Sequence, residues 1–311
     1  MPLNKVSLVE MGLRDGLQNE KTVIDVATRI EMAVRLAKAG ARRIELGAFV
    51  RSDWVPQMAG SKEVVTAVLN LQKERKISKD VIFSALVPNE HGFHDAMATG
   101  IKEIAIFAAC SESFSKKNIN CSIQESFERF IPVMALAKKN KIKVRGYLSV
   151  CFGCPFEGDV PEARVVQLAT RMYKMGVYEI SMGDTIGIAH VGQVESLIKK
   201  LKSKIPLKNI AGHFHDTRGQ ALANIERAYQ LGVKTFDSSL GGLGGCPYAP
   251  GATGNVATED VVYMFHGMKV KTGLNLQSLV DMNPWMSQKV LHELPSRVGK
   301  IGLLKPQGKV L

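Results

Sequence analysis

The sequence has no hydrophobic run of the roughly 18 residues that a membrane-spanning helix requires, so it predicts no membrane span. Its five cysteines, an odd number in a chain of 311 residues, do not indicate a disulfide framework. The start resembles neither a secretory signal nor a transit peptide, and the end is not a peroxisomal address. We therefore expect a cytoplasmic protein.

Acidic residues are too few to balance the basic ones. The chain has 41 Lys and Arg against 29 Asp and Glu, which gives a net charge of +12. The basic residues are scattered over helix-like segments and no basic run is interleaved with aromatic residues, so we do not expect nucleic acid as a partner. A solvated basic surface is the commonest reason for such an excess. The functional alternative is a small polyanionic substrate.

Short β-rich runs alternate with longer amphipathic segments along the chain. The predicted strands are Val6–Glu10, Arg43–Leu46, Val81–Leu86, Glu103–Ala108, Ile142–Ser149, Tyr178–Met182, Asn209–His213 and Lys234–Ser238. The predicted helices include Val26–Ala39, Lys62–Lys76, Ser126–Lys139, Glu162–Met175, Val194–Lys204 and Ala221–Leu231. Because consecutive parallel strands need crossover connections, this alternation predicts an α/β fold with a parallel sheet.

Eight such units in roughly 250 residues favour a closed (β/α)₈ TIM barrel. An open doubly wound sheet is the rival fold, but no Gly-x-Gly-x-x-Gly follows the first strand, which weakens its dinucleotide-binding form. We expect a single catalytic domain over residues 1–311, with the barrel at about 5–270. An extra C-terminal helical segment is expected to follow at about 271–311.

Active-site groups of such barrels project from the carboxyl ends of the strands. Chemically capable residues gather at these positions: Arg14, Asp15, Glu45, Asp184, His213, His215, Cys246 and Asn255. The predicted helices and the opposite loops carry mostly Lys, Glu and Ser without such clustering. The sequence therefore predicts that the site lies at one end of the barrel.

His213 and His215 lie two residues apart at the end of a predicted strand, so extended backbone would point their imidazoles to the same face. The structural alternative is a pair of histidines satisfied by hydrogen bonds. With oxygen ligands from Asp15 and Asn255, two nitrogens and two oxygens suit an octahedral Mg²⁺ or Mn²⁺. Zn²⁺ is the second choice, because it prefers four ligands that include sulfur.

Two further features carry both a functional and a structural interpretation. Arg14 is a permanent cation that can hold an enolate or carboxylate oxygen, or it forms an ordinary surface turn with Asp15. Cys246 stands in a loop, Gly241–Gly254, with six glycines in fourteen residues, and it is either an acid or base or an inert thiol. The lone C-x-x-C of Cys151 and Cys154 has no second pair, so we interpret it as structural.

Several motifs together resemble those of the 3-hydroxy-3-methylglutaryl-CoA lyase family. They are Glu10-Met-Gly-Leu-Arg-Asp-Gly-Leu-Gln-Asn-Glu20, Trp54-Val-Pro-Gln-Met58, Gly153-Cys-Pro-Phe-Glu-Gly158, Glu179-Ile-Ser-Met-Gly-Asp-Thr-Ile-Gly187, His213-Phe-His-Asp-Thr217, Gly242-Leu-Gly-Gly-Cys-Pro-Tyr248 and Gly254-Asn-Val-Ala-Thr-Glu-Asp260. They run in order from near residue 10 to near residue 260, so the resemblance covers the whole predicted barrel.

The resemblance implies a divalent-metal-dependent carbon–carbon lyase that cleaves 3-hydroxy-3-methylglutaryl-CoA to acetyl-CoA and acetoacetate. It also implies a small-molecule acyl-CoA substrate, a homodimer, and a place in leucine degradation and ketone body metabolism. Within this family the metal ligands would be Asp15, His213, His215 and Asn255. Arg14 would polarise the substrate carbonyl, Glu45 would orient these groups, Cys246 would be a mobile-loop acid or base, and Asp184 a substrate-side carboxylate.

The chain departs from the usual family pattern at Ala48, Asp53 and Arg218, which makes the preferred acyl group an open question. Three alternatives also stay open: a Claisen-type acyl-CoA synthase of the same wider group, an aldolase for a 4-hydroxy-2-oxo acid, and a binding protein without activity. The synthase is disfavoured because no regulatory domain follows the barrel motifs. The Cys246 loop disfavours the aldolase, and the intact ligand set disfavours the binding protein.

Overall fold

The computed structural model of the protein describes residues 4–245 and 254–303, so Cys246 lies outside the described residues. Eight parallel strands, β1 to β8, pair in chain order, and β8 pairs with β1 to close a barrel. The strands are β1 Ser7–Glu10, β2 Arg43–Ala48, β3 Ile82–Leu86, β4 Glu103–Ala109, β5 Lys143–Ser149, β6 Glu179–Asp184, β7 Ile210–Phe214 and β8 Thr235–Ser238. The predicted TIM barrel is confirmed.

Helices follow the strands and surround the barrel. They are α1 Val26–Lys38, α2 Ser61–Lys73, α3 Glu90–Thr99, α4 Glu112–Ile119, α5 Ile123–Asn140, α6 Glu162–Lys174, α7 Val191–Leu201, α8 Ala221–Gln230, α9 Thr258–Gly267, α10 Leu276–Val290 and α11 Arg297–Ile301. Each predicted helix is present, while α3, α4 and α9 are additional to the six helices named above. The starts of α3 and α4 had signals in Asn89 and Ser111, whose side chains accept from the backbone N–H groups of Gly92 and Phe114.

The helices bury one apolar face each against the strands. In α1, Met32, Ala33 and Leu36 share a face and are fully buried. The Asp25 carboxylate caps the start of this helix by accepting from the backbone N–H of Thr28 at 2.8 Å. No helix among residues 4–245 and 254–303 is long and apolar enough to cross a membrane.

The interior of the barrel holds buried ion pairs as well as apolar side chains. Arg145 on β5 donates to Glu179 on β6 at 2.7 Å and to Asp237 on β8 at 2.7 Å. Arg43 on β2 donates to the same Glu179 at 2.8 Å. Each cation in this layer meets at least one carboxylate, which offsets the cost of removing these charges from water.

The C-terminal helices α10 and α11 confirm the predicted extra helical segment. The Asp260 carboxylate joins α11 to the barrel by accepting from the Ser296 hydroxyl and the Val298 backbone N–H, both at 2.9 Å. The single catalytic domain over residues 1–311, with its barrel ending at about residue 270, stays a prediction.

Candidate active site

A cavity of about 360 Å³ opens at the carboxyl ends of the strands. Polar groups on its floor include Arg14, Asp15, Tyr147, Ser181, His213 and His215. Apolar side chains such as Leu86, Phe107, Phe114, Phe130 and Leu148 line other parts of its wall. The cavity is therefore where the sequence predicted the site.

A single π-helical turn, Gly12–Gly16, places Arg14 and Asp15 directly after β1. The Glu10 carboxylate at the end of β1 accepts from the Gly12 backbone N–H at 2.8 Å and fixes the start of this turn. A Cβ at Gly12 would lie 2.7 Å from the same carboxylate and 2.6 Å from the Met32 side chain, so a larger residue would force these side chains to shift. The turn therefore holds Asp15 at the cavity.

Asp15, His213 and His215 converge on one point of the cavity. The Nε2 atoms of His213 and His215 each lie 3.7 Å from Oδ2 of Asp15. One ligand atom from each of the three residues falls within 4.8 Å of the other two. Two imidazole nitrogens and a carboxylate oxygen at this spacing are a donor set for a divalent cation.

Asn255 also reaches this cluster, since its Nδ2 donates to Oδ2 of Asp15 at 2.8 Å. A cation would require the amide oxygen of Asn255 instead of this nitrogen. The Nδ1 of His215 is buried and has no hydrogen-bond partner among the described residues. The four predicted metal ligands are thus neighbours, and their chemistry fits Mg²⁺ or Mn²⁺.

Arg14 lies beside these groups and is almost fully buried. Its Nε donates to Glu45 and its Nη1 donates to Asp15. Tyr147 completes the arrangement, because its hydroxyl donates to the second oxygen of Glu45 at 2.7 Å and its ring lies 5.2 Å from the Arg14 guanidinium. The guanidinium is therefore fixed by contacts on its edge and its face.

The charges of Arg14 and Asp15 stabilise each other in this buried setting. Burial alone would lower the pKa of Arg14, but the carboxylates of Glu45 and Asp15 raise that pKa above its usual range. Burial alone would raise the pKa of Asp15, but Arg14 and the two histidines hold it well below 3.8. Asp15 is therefore ionised at neutral pH, as a ligand to a cation must be, and Arg14 keeps its positive charge.

Asp184 lies at the end of β6, as predicted, and its carboxylate faces the following loop. It accepts from the backbone N–H groups of Ile188 at 2.9 Å and Ala189 at 3.0 Å. Burial raises the pKa of Asp184, and these two hydrogen bonds partly oppose that rise. The contacts orient the loop after β6, while a role for Asp184 towards the substrate stays a prediction.

Tyr147 and Asp237 are site residues that the sequence analysis missed. Asp237 on β8 accepts a hydrogen bond from His213, and Tyr147 on β5 donates to Glu45. The signal for Tyr147 was its position two residues after Arg145, on the same face of β5. Asp237 had a similar signal, as a carboxylate inside a buried strand.

The cysteines among the described residues lie in the protein interior. Cys110 and Cys151 place their sulfur atoms 3.8 Å apart, and Cys154 accepts from the Ser111 hydroxyl at 2.9 Å. Burial raises the pKa of the Cys151 thiol well above 9.0. These thiols pack in the core, in accord with the structural interpretation of the C-x-x-C pair.

The three departures from the family pattern have local partners. Arg218 donates to the backbone carbonyls of Ile186 at 2.8 Å and Gly187 at 3.1 Å. Asp53 forms an exposed ion pair with Arg51 at the cavity rim, and the backbone N–H of Ala48 donates to a serine hydroxyl in α2. Arg51, the partner of Asp53, lines the cavity, whereas Ala48 and Arg218 are not among its lining residues.

Comparisons with known proteins agree on one family. The model of the HMGL-like family matches residues 5–285. The 3-hydroxy-3-isohexenylglutaryl-CoA/hydroxy-methylglutaryl-CoA lyase of Pseudomonas aeruginosa is 51% identical over 89% of this chain and 90% of its own. The hydroxymethylglutaryl-CoA lyase of Pseudomonas mevalonii is 48% identical over 96% of both chains. A crystal structure of the Pseudomonas aeruginosa hydroxymethylglutaryl-CoA lyase superposes with a TM-score of 0.91, at 48% identity, over 96% of this chain and 97% of the other.

Proposed function

This chain belongs to the HMGL-like family of hydroxymethylglutaryl-CoA lyases, and we propose that it cleaves 3-hydroxy-3-methylglutaryl-CoA to acetyl-CoA and acetoacetate. It is accordingly a carbon–carbon lyase that acts on an acyl-CoA. The observation that carries the proposal for the site is the convergence of Asp15, His213 and His215 beside Arg14 in one cavity.

The reaction breaks the bond between C2 and C3 of the substrate. The 3-hydroxyl loses its proton, C3 becomes the ketone of acetoacetate, and the bond electrons pass to C2 and into the thioester as an enolate. A proton then adds to C2, which gives acetyl-CoA. The protein must therefore favour loss of one proton, stabilise an enolate and supply another proton.

Asp15, His213, His215 and Asn255 are the residues that would hold a divalent cation, and we propose Mg²⁺ or Mn²⁺. When bound, such a cation lowers the cost of ionising the 3-hydroxyl and orients the substrate by chelation. In this scheme Asp15 also keeps Arg14 in place through the bond from Nη1.

Arg14 is proposed to donate to the thioester oxygen as the enolate forms. Because Glu45 and Tyr147 already fix the guanidinium, little reorganisation is needed when this charge develops. Cys246 is proposed to protonate C2, as an acid on the glycine-rich loop. Glu45 would act by orienting Arg14, while Asp184 would act on the substrate side.

A second substrate class is favoured by the apolar wall of the cavity. Leu86, Phe107 and Leu148 are among the residues that line it. The Pseudomonas aeruginosa relative is named for a substrate with an isohexenyl group at C3. We propose that 3-hydroxyglutaryl-CoA thioesters with a larger substituent at C3 are also substrates, in addition to the 3-methyl compound.

The decisive experiment measures acetyl-CoA and acetoacetate released from 3-hydroxy-3-methylglutaryl-CoA by the metal-depleted protein, with and without added Mg²⁺ or Mn²⁺. We expect equal amounts of the two products, and only with the cation. The compound 3-hydroxy-3-isohexenylglutaryl-CoA is assayed in parallel, and the kcat/KM values of the two substrates are compared. Full turnover in the metal-depleted protein would contradict the metal site, and absence of cleavage in every condition would contradict the lyase function.

The remaining attributes stay predictions. They are the cytoplasmic location, the homodimer, and the place in leucine degradation and ketone body metabolism.

A further inference from the structure

Asp237 lies beside His213 inside the barrel, as its register partner on the neighbouring strand. Its Oδ2 is 3.1 Å from Nδ1 of His213, while the opposite ring nitrogen, Nε2, is 3.7 Å from Asp15. Asp237 is buried on β8, one strand away from His213 on β7. The imidazole therefore has a carboxylate on each side, and one of the two is Asp15 of the candidate metal site.

The surroundings of Asp237 force it to remain an acceptor. Arg145 donates to both of its oxygens, at 2.7 and 3.2 Å, and the Ser181 hydroxyl donates to Oδ2 at 2.7 Å. A carboxylate whose two oxygens accept from a guanidinium and a hydroxyl has no proton to donate, so the ring proton of a neutral His213 must sit on Nδ1.

Arg145 is held in turn from the other side. Its Nε donates to Glu179 at 2.7 Å, so the guanidinium bridges two carboxylates and cannot turn away from Asp237 without losing a buried ion pair. A chain of hydrogen bonds thus runs from Glu179 through Arg145 and Asp237 to His213, which lines the cavity.

We propose that Asp237, fixed by Arg145, is a positioning residue that sets the tautomer of His213 and thereby presents the Nε2 lone pair to the metal. The inference rests on the proposed metal site. His215 provides a contrast in the same cavity, because its Nδ1 has no hydrogen-bond partner in the described part of the chain. Partners on the far side of a ligating imidazole commonly set its tautomer and its orientation.

The first measurement uses the unaltered protein without metal. Long-range ¹H–¹⁵N NMR at mildly alkaline pH reports which ring nitrogen carries the proton, and the spectrum of His213→Gln assigns the signal. We expect His213 to carry its proton on Nδ1. A proton on Nε2 would overturn the proposal, whatever the behaviour of any variant.

The second measurement uses Asp237→Asn. Donors from Arg145, Ser181 and His213 all meet the Oδ2 position, while one donor meets Oδ1, so the amide oxygen takes the Oδ2 position and the amide nitrogen faces Arg145. His213 then keeps only an uncharged, weaker acceptor on Nδ1, and we expect the affinity for Mn²⁺, measured by electron paramagnetic resonance of the free ion, to fall about 10-fold.

The matched control is Glu103→Gln, which also converts a buried barrel carboxylate to an amide. Glu103 accepts from the Tyr178 hydroxyl at 2.8 Å at the start of β4, away from His213. We expect it to leave the tautomer and the Mn²⁺ affinity unchanged. Unaltered Mn²⁺ affinity in folded Asp237→Asn would overturn the proposal. Failure of the unaltered protein to bind Mn²⁺ would instead overturn the proposed metal site.

If Asp237→Asn does not fold, the tautomer in the unaltered protein decides the question.

Discussion

Glu45 and Arg14 form a fixed pair on the floor of the cavity, with Nε of Arg14 donating to Oε1 of a fully buried Glu45. The other Glu45 oxygen accepts from the Tyr147 hydroxyl at 2.7 Å. The carboxylate therefore has a partner on both oxygens and cannot rotate freely. Its effect is to hold the plane of the guanidinium in one orientation above the Tyr147 ring.

Arg14→Lys tests whether this fixed orientation serves catalysis. A lysine keeps the positive charge but loses the planar fork that contacts Glu45 and Asp15 together. We expect kcat for 3-hydroxy-3-methylglutaryl-CoA cleavage to fall by on the order of 10²-fold, the usual effect of removing one donor to a developing oxyanion. A normal kcat with a raised KM would show that Arg14 binds substrate and transition state equally.

Tyr147→Phe separates the orientation of Glu45 from the charge of Arg14. The variant keeps the ring beside Arg14 but leaves one oxygen of a buried carboxylate without its donor. We expect the free energy of unfolding to fall by about 1–3 kcal/mol in urea titrations, and kcat to fall less than in Arg14→Lys. Tyr263→Phe, at an exposed tyrosine, is the control and should change neither quantity.

Binding of a divalent cation at the proposed site should stabilise the folded protein against unfolding. A cation that binds only the folded protein adds about 2.7 kcal/mol to the free energy of unfolding at a hundred times its Kd. We expect Mn²⁺ to raise the thermal midpoint of the unaltered protein and to have no such effect on His215→Gln. His266→Gln is the control, because His266 contacts Thr272 far from the cavity. Equal stabilisation of all three proteins would place the ion elsewhere.

The sequence predicted the barrel and the shared face of His213 and His215 because both depend on local patterns. Alternation of strands and helices is visible along the chain, and His213 and His215 mark a shared face by their spacing alone. Asp237 could not be linked to His213 in the same way, because their contact depends on which side chains meet inside the closed barrel. Local hydrogen bonding likewise decides where the Asp184 carboxylate points.

Two buried carboxylates beside the glycine-rich segment predict a pH-dependent stability. Glu10 accepts from the Leu240 backbone N–H at 2.8 Å, and Glu259 accepts from the Gly241 backbone N–H at 2.9 Å. Burial raises the pKa of Glu10 from 4.5 to about 7 and that of Glu259 from 4.5 to about 8, against the hydrogen bonds that each accepts. Between pH 4.5 and these raised pKa values, the folded protein therefore holds more protons than the unfolded chain.

Stability should fall as the pH rises from about 4.5 to about 8, because the unfolded chain releases these protons first. Glu10→Gln cannot ionise, and its amide can donate to the Thr258 hydroxyl while its oxygen accepts from Leu240. We expect the free energy of unfolding of this variant, measured in denaturant titrations, to fall by about 3 kcal/mol less over this pH range than that of the unaltered protein. Glu293→Gln, at an exposed site, should keep the full slope, and an unchanged slope in Glu10→Gln would contradict the shift.

Cys246 is the thiol for which we predict a chemical role, although it lies outside the described residues. Cys110, Cys121, Cys151 and Cys154 are buried, so a thiol-directed reagent should modify Cys246 first. Cys246→Ser keeps the side-chain size but is a far weaker acid near neutral pH, so we expect kcat to fall by roughly 10²–10⁴-fold. Mn²⁺ affinity should not change, because the thiol is absent from the predicted ligand set.

Peptide mapping after alkylation, with and without substrate, checks this prediction, because bound substrate should protect both Cys246 and the activity. Cys121→Ser is the control and should retain both activity and inactivation by the reagent. Full activity after complete alkylation of Cys246 would remove this thiol from the mechanism. The proton for C2 would then have to come from water or another group in the cavity, and kcat of Cys246→Ser would match that of the unaltered enzyme.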